Sequence, residues 1–162
     1  MSKYALALLA AGLLAYGGTP VVVAAETTDD VTVVTSDKLT YDAKEQYAVF
    51  DGNVVVTDPE VQMTADRLIL KLDDAGDPEV LRASGNVIIT HADKKSLSGL
   101  ALYEVKTGKF VLTDQPRVSR GRDILQGDTI TFWRGQDKLL CEPRARLVIY
   151  PQGDGHQQLF GD

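Results

Sequence analysis

From residue 31 onward, apolar residues recur in short runs with a period near two, and the runs are bounded by Gly, Asp, Asn and Pro. Such alternation sends successive side chains to opposite faces of an extended chain and is the signature of strands; amphipathic helices need a period of 3.6. The pattern predicts strands over 31–35, 38–42, 47–50, 54–57, 62–72, 80–83, 87–90, 98–106, 109–113, 117–119, 128–134, 138–141 and 145–150. The segments between them carry turn chemistry, as in Asp42-Ala43-Lys44-Glu45, Asp58-Pro59, the acidic stretch 73–78, Lys106-Thr107-Gly108 and Arg134-Gly135-Gln136-Asp137. So many short strands leave almost no room for helices, and the predicted class is all-β.

The pattern also repeats at a longer interval. Ser36-Asp37-Lys38-Leu39-Thr40-Tyr41 recurs as Ala65-Asp66-Arg67-Leu68-Ile69-Leu70, as Ser98-Gly99-Leu100-Ala101-Leu102-Tyr103 and as Gly127-Asp128-Thr129-Ile130-Thr131-Phe132. The anchors at 37, 66, 99 and 128 are spaced by 29, 33 and 29 residues. A second element follows the first: Asp51-Gly52-Asn53-Val54 and Ser84-Gly85-Asn86-Val87, with fainter echoes at Asp114-Gln115-Pro116 and Glu142-Pro143-Arg144. A period of about thirty residues means stacked β units, each unable to bury its apolar face alone. At the Gly-Asn pair a corner is expected, because Gly permits a sharp bend and Asn tolerates left-handed backbone.

Counting by twos from each anchor selects the inward face: Leu39 and Tyr41, Leu68 and Leu70, Ala101 and Tyr103, Ile130 and Phe132. The same arithmetic from each Asn selects Val54 and Val56, then Val87 and Ile89. In the last strand Ala145, Leu147 and Ile149 fall on one face and Arg144 and Arg146 on the other. These residues compose a continuous apolar interior between two curved sheets.

The amino terminus has a different character. Lys3 precedes an apolar stretch over residues 4–16; Gly17, Gly18 and Pro20 follow, and Val23-Ala24-Ala25 stands before Glu26. This is the order of a cleaved secretory signal, and the apolar run is shorter than the roughly 20 residues of a bilayer span. The expected organisation is a signal over 1–25, one β domain over 26–150 and a polar tail over 151–162. The formal net charge is −6 and becomes −7 without Lys3. An acidic chain is a poor partner for nucleic acid, which favours basic patches. Cys141 is the lone cysteine and, within Leu139-Leu140-Cys141, is expected in the core.

Catalytic constellations are absent from the sequence. His91 and His156 are far apart and lack metal-ligand spacing, Asp73, Asp74 and Asp77 lack the alternation of a calcium loop, and no phosphate loop or nucleophile elbow occurs. No cofactor or metal is therefore expected, and the chain is expected not to be an enzyme. Two alternatives remain: an exported β-solenoid hydrolase or lyase acting on polysaccharide, which would line an outer groove with carboxylates, and a structural β-repeat protein without a ligand.

Residues 31–70, with Ser36-Asp37, Asp51-Gly52-Asn53-Val54-Val55-Val56-Thr57 and Ala65-Asp66-Arg67, resemble the OstA-like family of lipopolysaccharide-transport proteins. The second half resembles it through Tyr103-Glu104, Phe110-Val111-Leu112-Thr113 and Gly127-Asp128-Thr129-Ile130-Thr131-Phe132. In length and leader the chain is most similar to the soluble periplasmic bridge component. The resemblance implies a slightly open, twisted β-jellyroll whose two sheets form a V. It also implies a periplasmic location and lipid A acyl chains held in the groove. Lipid contact would fall on Leu39, Tyr41, Val54, Val56, Leu68 and Leu70 in the first half. Farther on it would fall on Val87, Ile89, Tyr103, Phe110, Leu112, Ile130 and Phe132. Partners would be lipopolysaccharide, further copies stacked head to tail, and the inner- and outer-membrane members of the machinery. Arg117, Arg120 and Arg122, the densest basic cluster, are candidates for meeting lipid phosphates at the groove mouth. Asp114-Gln115-Pro116 departs from the family pattern, which has a Gly-Asn corner there.

Overall fold

The alternation resolves into twelve antiparallel strands, and no helix occurs among the residues that the computed structural model describes, 31–136 and 138–151. The strands are β1 (Val33–Thr35), β2 (Lys38–Asp42), β3 (Tyr47–Thr57), β4 (Val61–Leu72), β5 (Pro78–His91) and β6 (Lys94–Glu104). They continue as β7 (Lys109–Thr113), β8 (Arg117–Arg120), β9 (Asp123–Gln126), β10 (Thr129–Trp133), β11 (Leu139–Glu142) and β12 (Arg146–Val148). The expected signal over 1–25 lies outside the described residues, as does the expected tail beyond Pro151.

The four long strands β3–β6 each serve two ladders. One half-sheet runs β2, the first part of β3, the second part of β4, the first part of β5, the second part of β6, then β7, β10 and β11. The other runs β1, the remaining parts of β3–β6, then β8, β9 and β12. The register shifts where one ladder gives way to the other, between Asp51 and Val54, Thr64 and Arg67, and Ser84 and Val87. The expected Gly-Asn corners are thus bulges inside continuous strands. The segments 47–50 and 54–57 form one strand, and so do 80–83 and 87–90, because a bulge bends a strand without ending its pairing. The result is an open jellyroll-like fold of two half-sheets hinged along a line of bulges.

That line is a seam of repeated clasps. Gly52 and Asn53 take positive φ (78° and 45°), as do Gly85 and Asn86 (74° and 47°). Asn53 Nδ2 donates to Asp37 Oδ2 at 2.7 Å, and Asn86 Nδ2 donates to Asp66 Oδ2 at 2.9 Å. Either glycine would collide with that carboxylate if it carried a Cβ. At the third clasp the two residue types change places: Gly99 stands at the anchor and Asp114 at the corner, with Asp114 and Gln115 at φ 61° and 57°. A Cβ on Gly99 would overlap the Asp114 carboxylate, so the carboxylate fills the same gap from the opposite strand. This swap accounts for the departure at Asp114-Gln115-Pro116. At the fourth clasp Arg144, at φ 57°, forks onto Asp128 with contacts of 2.7–3.0 Å.

The core lies between the half-sheets, on the parity expected. Val54, Leu68, Val87, Leu112 and Ile130 are fully buried, and each contributes about 1.5–3 kcal/mol by leaving water. Leu39 and Leu147 share this face through their partners Phe50 and Leu125, yet remain 57% and 43% exposed. Tyr41 and Ile149 are exposed as well. They belong to the outermost of the described strands or lie just beyond them, where no described strand covers them. One element was not legible, and another began earlier than expected. β9 offers only Ile124 and Leu125 as apolar positions, and β6 starts four residues before the expected 98 because its inward residues there are Ser96 and Ser98. Cys141 is half-buried, with Sγ 3.4 Å from the Gln126 carbonyl. Burial and then Asp128 raise its thiol pKa.

Candidate functional site

Away from the seam the half-sheets do not close on one another. A cavity of about 350 Å³ lies between them, lined by Val61, Ile89 and Val118 from one half-sheet and by Phe110, Phe132 and Leu139 from the other. Its volume falls in the range of small-ligand pockets, about 300–1,000 Å³. Tyr103, Phe110 and Phe132 stand side by side on β6, β7 and β10, with stacked rings 4.1 and 4.6 Å apart between centroids. Cross-strand ring pairs of this kind stiffen one wall.

The rim is polar and mostly cationic. Lys94, His91, Arg134 and Lys138 border the cavity together with Glu60. Lys138 Nζ lies 4.9 Å from the centre of the Trp133 ring, a cation–π contact. Arg134, in the turn after β10, reaches across to the turn between β3 and β4. Its Nε and Nη2 donate to Glu60 Oε2 at 3.1 and 2.9 Å, and Nη2 donates to Asp58 Oδ1 at 3.2 Å. The hydrogen bond to Glu60 leads in raising the Arg134 pKa, and Tyr103 adds a further side-chain hydrogen bond. For Asp58, burial works upward, but the Glu60 amide, the Thr32 hydroxyl and Arg134 together hold its carboxyl below the usual 3.8.

Of the residues expected to meet lipid, Ile89, Phe110 and Phe132 line this cavity. Val54, Leu68, Val87, Leu112 and Ile130 sit deeper, packed shut near the seam, and Val56 is buried beside Met63 and Val34. Leu70 and Tyr103 are half-buried, and Leu39 and Tyr41 face the same way at the outer edge. The basic cluster is placed elsewhere: Arg117 and Arg120 belong to β8 and Arg122 to the turn before β9, and none lines the cavity. Arg120 pairs with Asp93, and Arg122 lies over the Tyr150 ring. The rim cations Lys94, Arg134 and Lys138 went unnoticed because they come from two hairpins some forty residues apart in sequence and meet only in the fold. His156 lies outside the described residues.

Residues 33–138 match the family described as LptA/(LptD N-terminal domain) LPS transport protein. The chain is similar to the lipopolysaccharide export system protein LptH of Pseudomonas aeruginosa, 29% identical over 137 residues that cover 74% of this chain and 78% of the relative. In fold it is similar to the crystal structure of LptH from the same organism, described as the LptA homologous periplasmic component of the lipopolysaccharide transport device. The TM-score is 0.67 at 24% identity, over 75% of this chain and 96% of that one.

Proposed function

The chain belongs to the LptA/(LptD N-terminal domain) family of LPS transport proteins, and from that premise we propose that it carries lipopolysaccharide through the periplasm. Lipid A acyl chains lie between the half-sheets, and copies stacked head to tail bridge the inner and outer membranes. The observation that carries this reading is the apolar cavity between two hinged half-sheets, open away from the seam and rimmed by Lys94, Arg134 and Lys138. Each buried methylene contributes roughly 0.8 kcal/mol, so one long acyl chain supplies about 10 kcal/mol gross. Repulsion between an acidic protein and an anionic headgroup is screened over about 8 Å at physiological salt. Hydrophobic burial therefore dominates, with the rim cations placed where the headgroup meets water.

Head-to-tail stacking draws support from the ends of the fold. Among the described residues β1 and β2 each pair only with β3, β11 only with β10, and β12 only with β9, so both ends of the described fold present unpaired edges. Exposed Val33, Leu39 and Tyr41 mark one end, and Leu140, Leu147 and Ile149 the other. Uncovered edges recruit strands unless something blocks them. Partners at the two ends of the series are the inner- and outer-membrane members of the machinery, and the reading needs neither catalysis nor a cofactor. Residues 1–25 act as the cleaved export signal.

Native mass spectrometry of protein expressed with its leader and recovered from the periplasm tests the whole reading. The expected spectrum shows a chain beginning at Glu26, bound lipid A, and oligomers that lengthen with concentration. A lipid-free monomer at every concentration rejects the bridge; cleavage of envelope polysaccharide by the same preparation selects the hydrolase alternative.

A further inference from the structure

The contact between Arg134 and the 58–60 turn joins residues 74 to 76 positions apart in sequence. It also joins the two half-sheets. Asp58 and Glu60 end the ladder containing β1 and the second part of β3, whereas Arg134 ends the ladder containing β7, β10 and β11. Other ion pairs, such as Lys71 with Glu79 and Arg120 with Asp93, join neighbours within one half-sheet. Asp58 lies five residues beyond Asn53 of the first clasp, and Arg134 lies six beyond Asp128 of the fourth. The two sides therefore meet at matching depth on the margin opposite the hinge, and both Glu60 and Arg134 border the cavity.

A cavity of about 350 Å³ is too small for a lipid bearing several acyl chains, so the half-sheets must part to admit one. Parting them breaks the Arg134 contact and frees a guanidinium at the rim. That is where a headgroup phosphate comes to rest once the chains are inside. A guanidinium fork fits phosphate as well as carboxylate, and both bonds are charge-assisted. Exchanging one anion for another costs little, because each charge-assisted bond given up is replaced by another of the same kind.

We propose that Arg134 latches the open margin of the groove onto Asp58 and Glu60 and passes to a phosphate of the lipid A headgroup when the half-sheets part. The groove then opens for phosphorylated lipid and resists its uncharged counterpart. Lys94 and Lys138, on the same rim, complete the anion-binding side. This assignment rests on the lipopolysaccharide reading above, and the latch can be tested apart from it.

Trp133, the only tryptophan in the sequence, lines the cavity beside Arg134 and reports on both steps. Without lipid, acrylamide quenching of Trp133 in the mature chain should rise in Arg134→Gln. It should also rise in the doubly substituted Asp58→Asn/Glu60→Gln, whose changes lie across the mouth from the reporter. Unchanged quenching in both variants eliminates the latch, whatever the protein binds. The single Glu60→Gln variant, at an exposed side chain, keeps this arm decisive if the double variant unfolds. Millimolar inorganic phosphate should leave the quenching unchanged; opening by phosphate alone overturns the coupling to lipid.

With lipid, the wild-type chain should prefer lipid A over its dephosphorylated form by about tenfold, the equivalent of one charge-assisted bond. Asp58→Asn/Glu60→Gln should take up both lipids faster and keep that preference. Arg134→Gln should lose it, and Arg134→Lys should retain part of it. A preference that survives Arg134→Gln overturns the transfer step. Binding of neither lipid by any of the proteins overturns both the lipopolysaccharide reading and the transfer, while the quenching arm still decides the latch.

Discussion

Along the seam, Gly52-Asn53, Gly85-Asn86 and Arg144 hold left-handed backbone against an anchor carboxylate each, Asp114-Gln115 hold it with Asp114 supplying the carboxylate, and Leu68, Leu112 and Ile130 beside them have no exposed surface. Along the opposite margin, Arg134 crosses between two turns with its side chain 39% exposed and its partner Glu60 59% exposed, and Phe132 and Leu139 are only partly covered. Left-handed backbone at non-glycine residues costs about 1–3 kcal/mol and persists only where its surroundings over-determine it. Exposed ion pairs contribute about 0–1 kcal/mol and are easily exchanged. The same two half-sheets are thus fixed along one side and weakly tied along the other, as a groove that opens from one side requires.

The sharpest way to break this contrast is to remove one leucine from each margin. Leu68→Ala should cost about 3 kcal/mol, because a site with no exposed surface cannot collapse fully onto the gap. Leu139→Ala, at a cavity already open to water, should cost less than about half as much. Urea unfolding of both variants measures the difference, and equal losses would mean that the two margins are packed alike.

The third clasp offers a second test, of about 1–2 kcal/mol. Asp114→Gly leaves the gap empty, and Gly99→Asp forces two carboxylates into it, so each change alone should destabilise. The double exchange Gly99→Asp/Asp114→Gly recreates the arrangement of the first two clasps and should recover most of the loss. A double-mutant cycle with no coupling would show that the seam tolerates any residue at these positions.

The smallest effect concerns acid. The Asp58 carboxyl is held below its free value of 3.8, so ionised Asp58 favours the folded state. Its contribution is complete above that value and is lost as pH falls below 3.8 through the lower folded value. Asp58→Asn should therefore flatten the stability curve below about pH 4 and leave its shape near neutrality unchanged. An acid titration that steepens, or is identical in the two proteins, would place the stabilising carboxylate elsewhere.

The fold was largely legible in the sequence because burial alternates with the pleat: Leu39, Leu68, Ala101 and Ile130 share one face, as their spacing from the anchors required. Where alternation carried no apolar signal, as at Ser96, the start of the strand was missed. The Gly-Asn pairs revealed their left-handed backbone but not that the strand continues through it, since continuation depends on partners in other repeats. The candidate site was legible on its apolar side only. Parity located Ile89 and Phe132 and the family resemblance Phe110, whereas Arg134 and its carboxylates are neighbours solely because two turns, 74 to 76 residues apart, meet across the cavity. Local charge density pointed instead to Arg117, Arg120 and Arg122, of which Arg120 pairs with Asp93.

The seam makes the protein extensible. Each clasp joins an anchor to the corner that follows it within the same unit, so none depends on residues beyond that unit. The segment 66–98 begins at one anchor, ends just before the next and contributes two strand segments to each half-sheet. Duplicating it would insert one more rung and lengthen the trough by two strand spacings, roughly 10 Å. The edge strands at either end would keep their identity. Trough length in this architecture is therefore a counting variable, set by how many thirty-residue units the gene encodes.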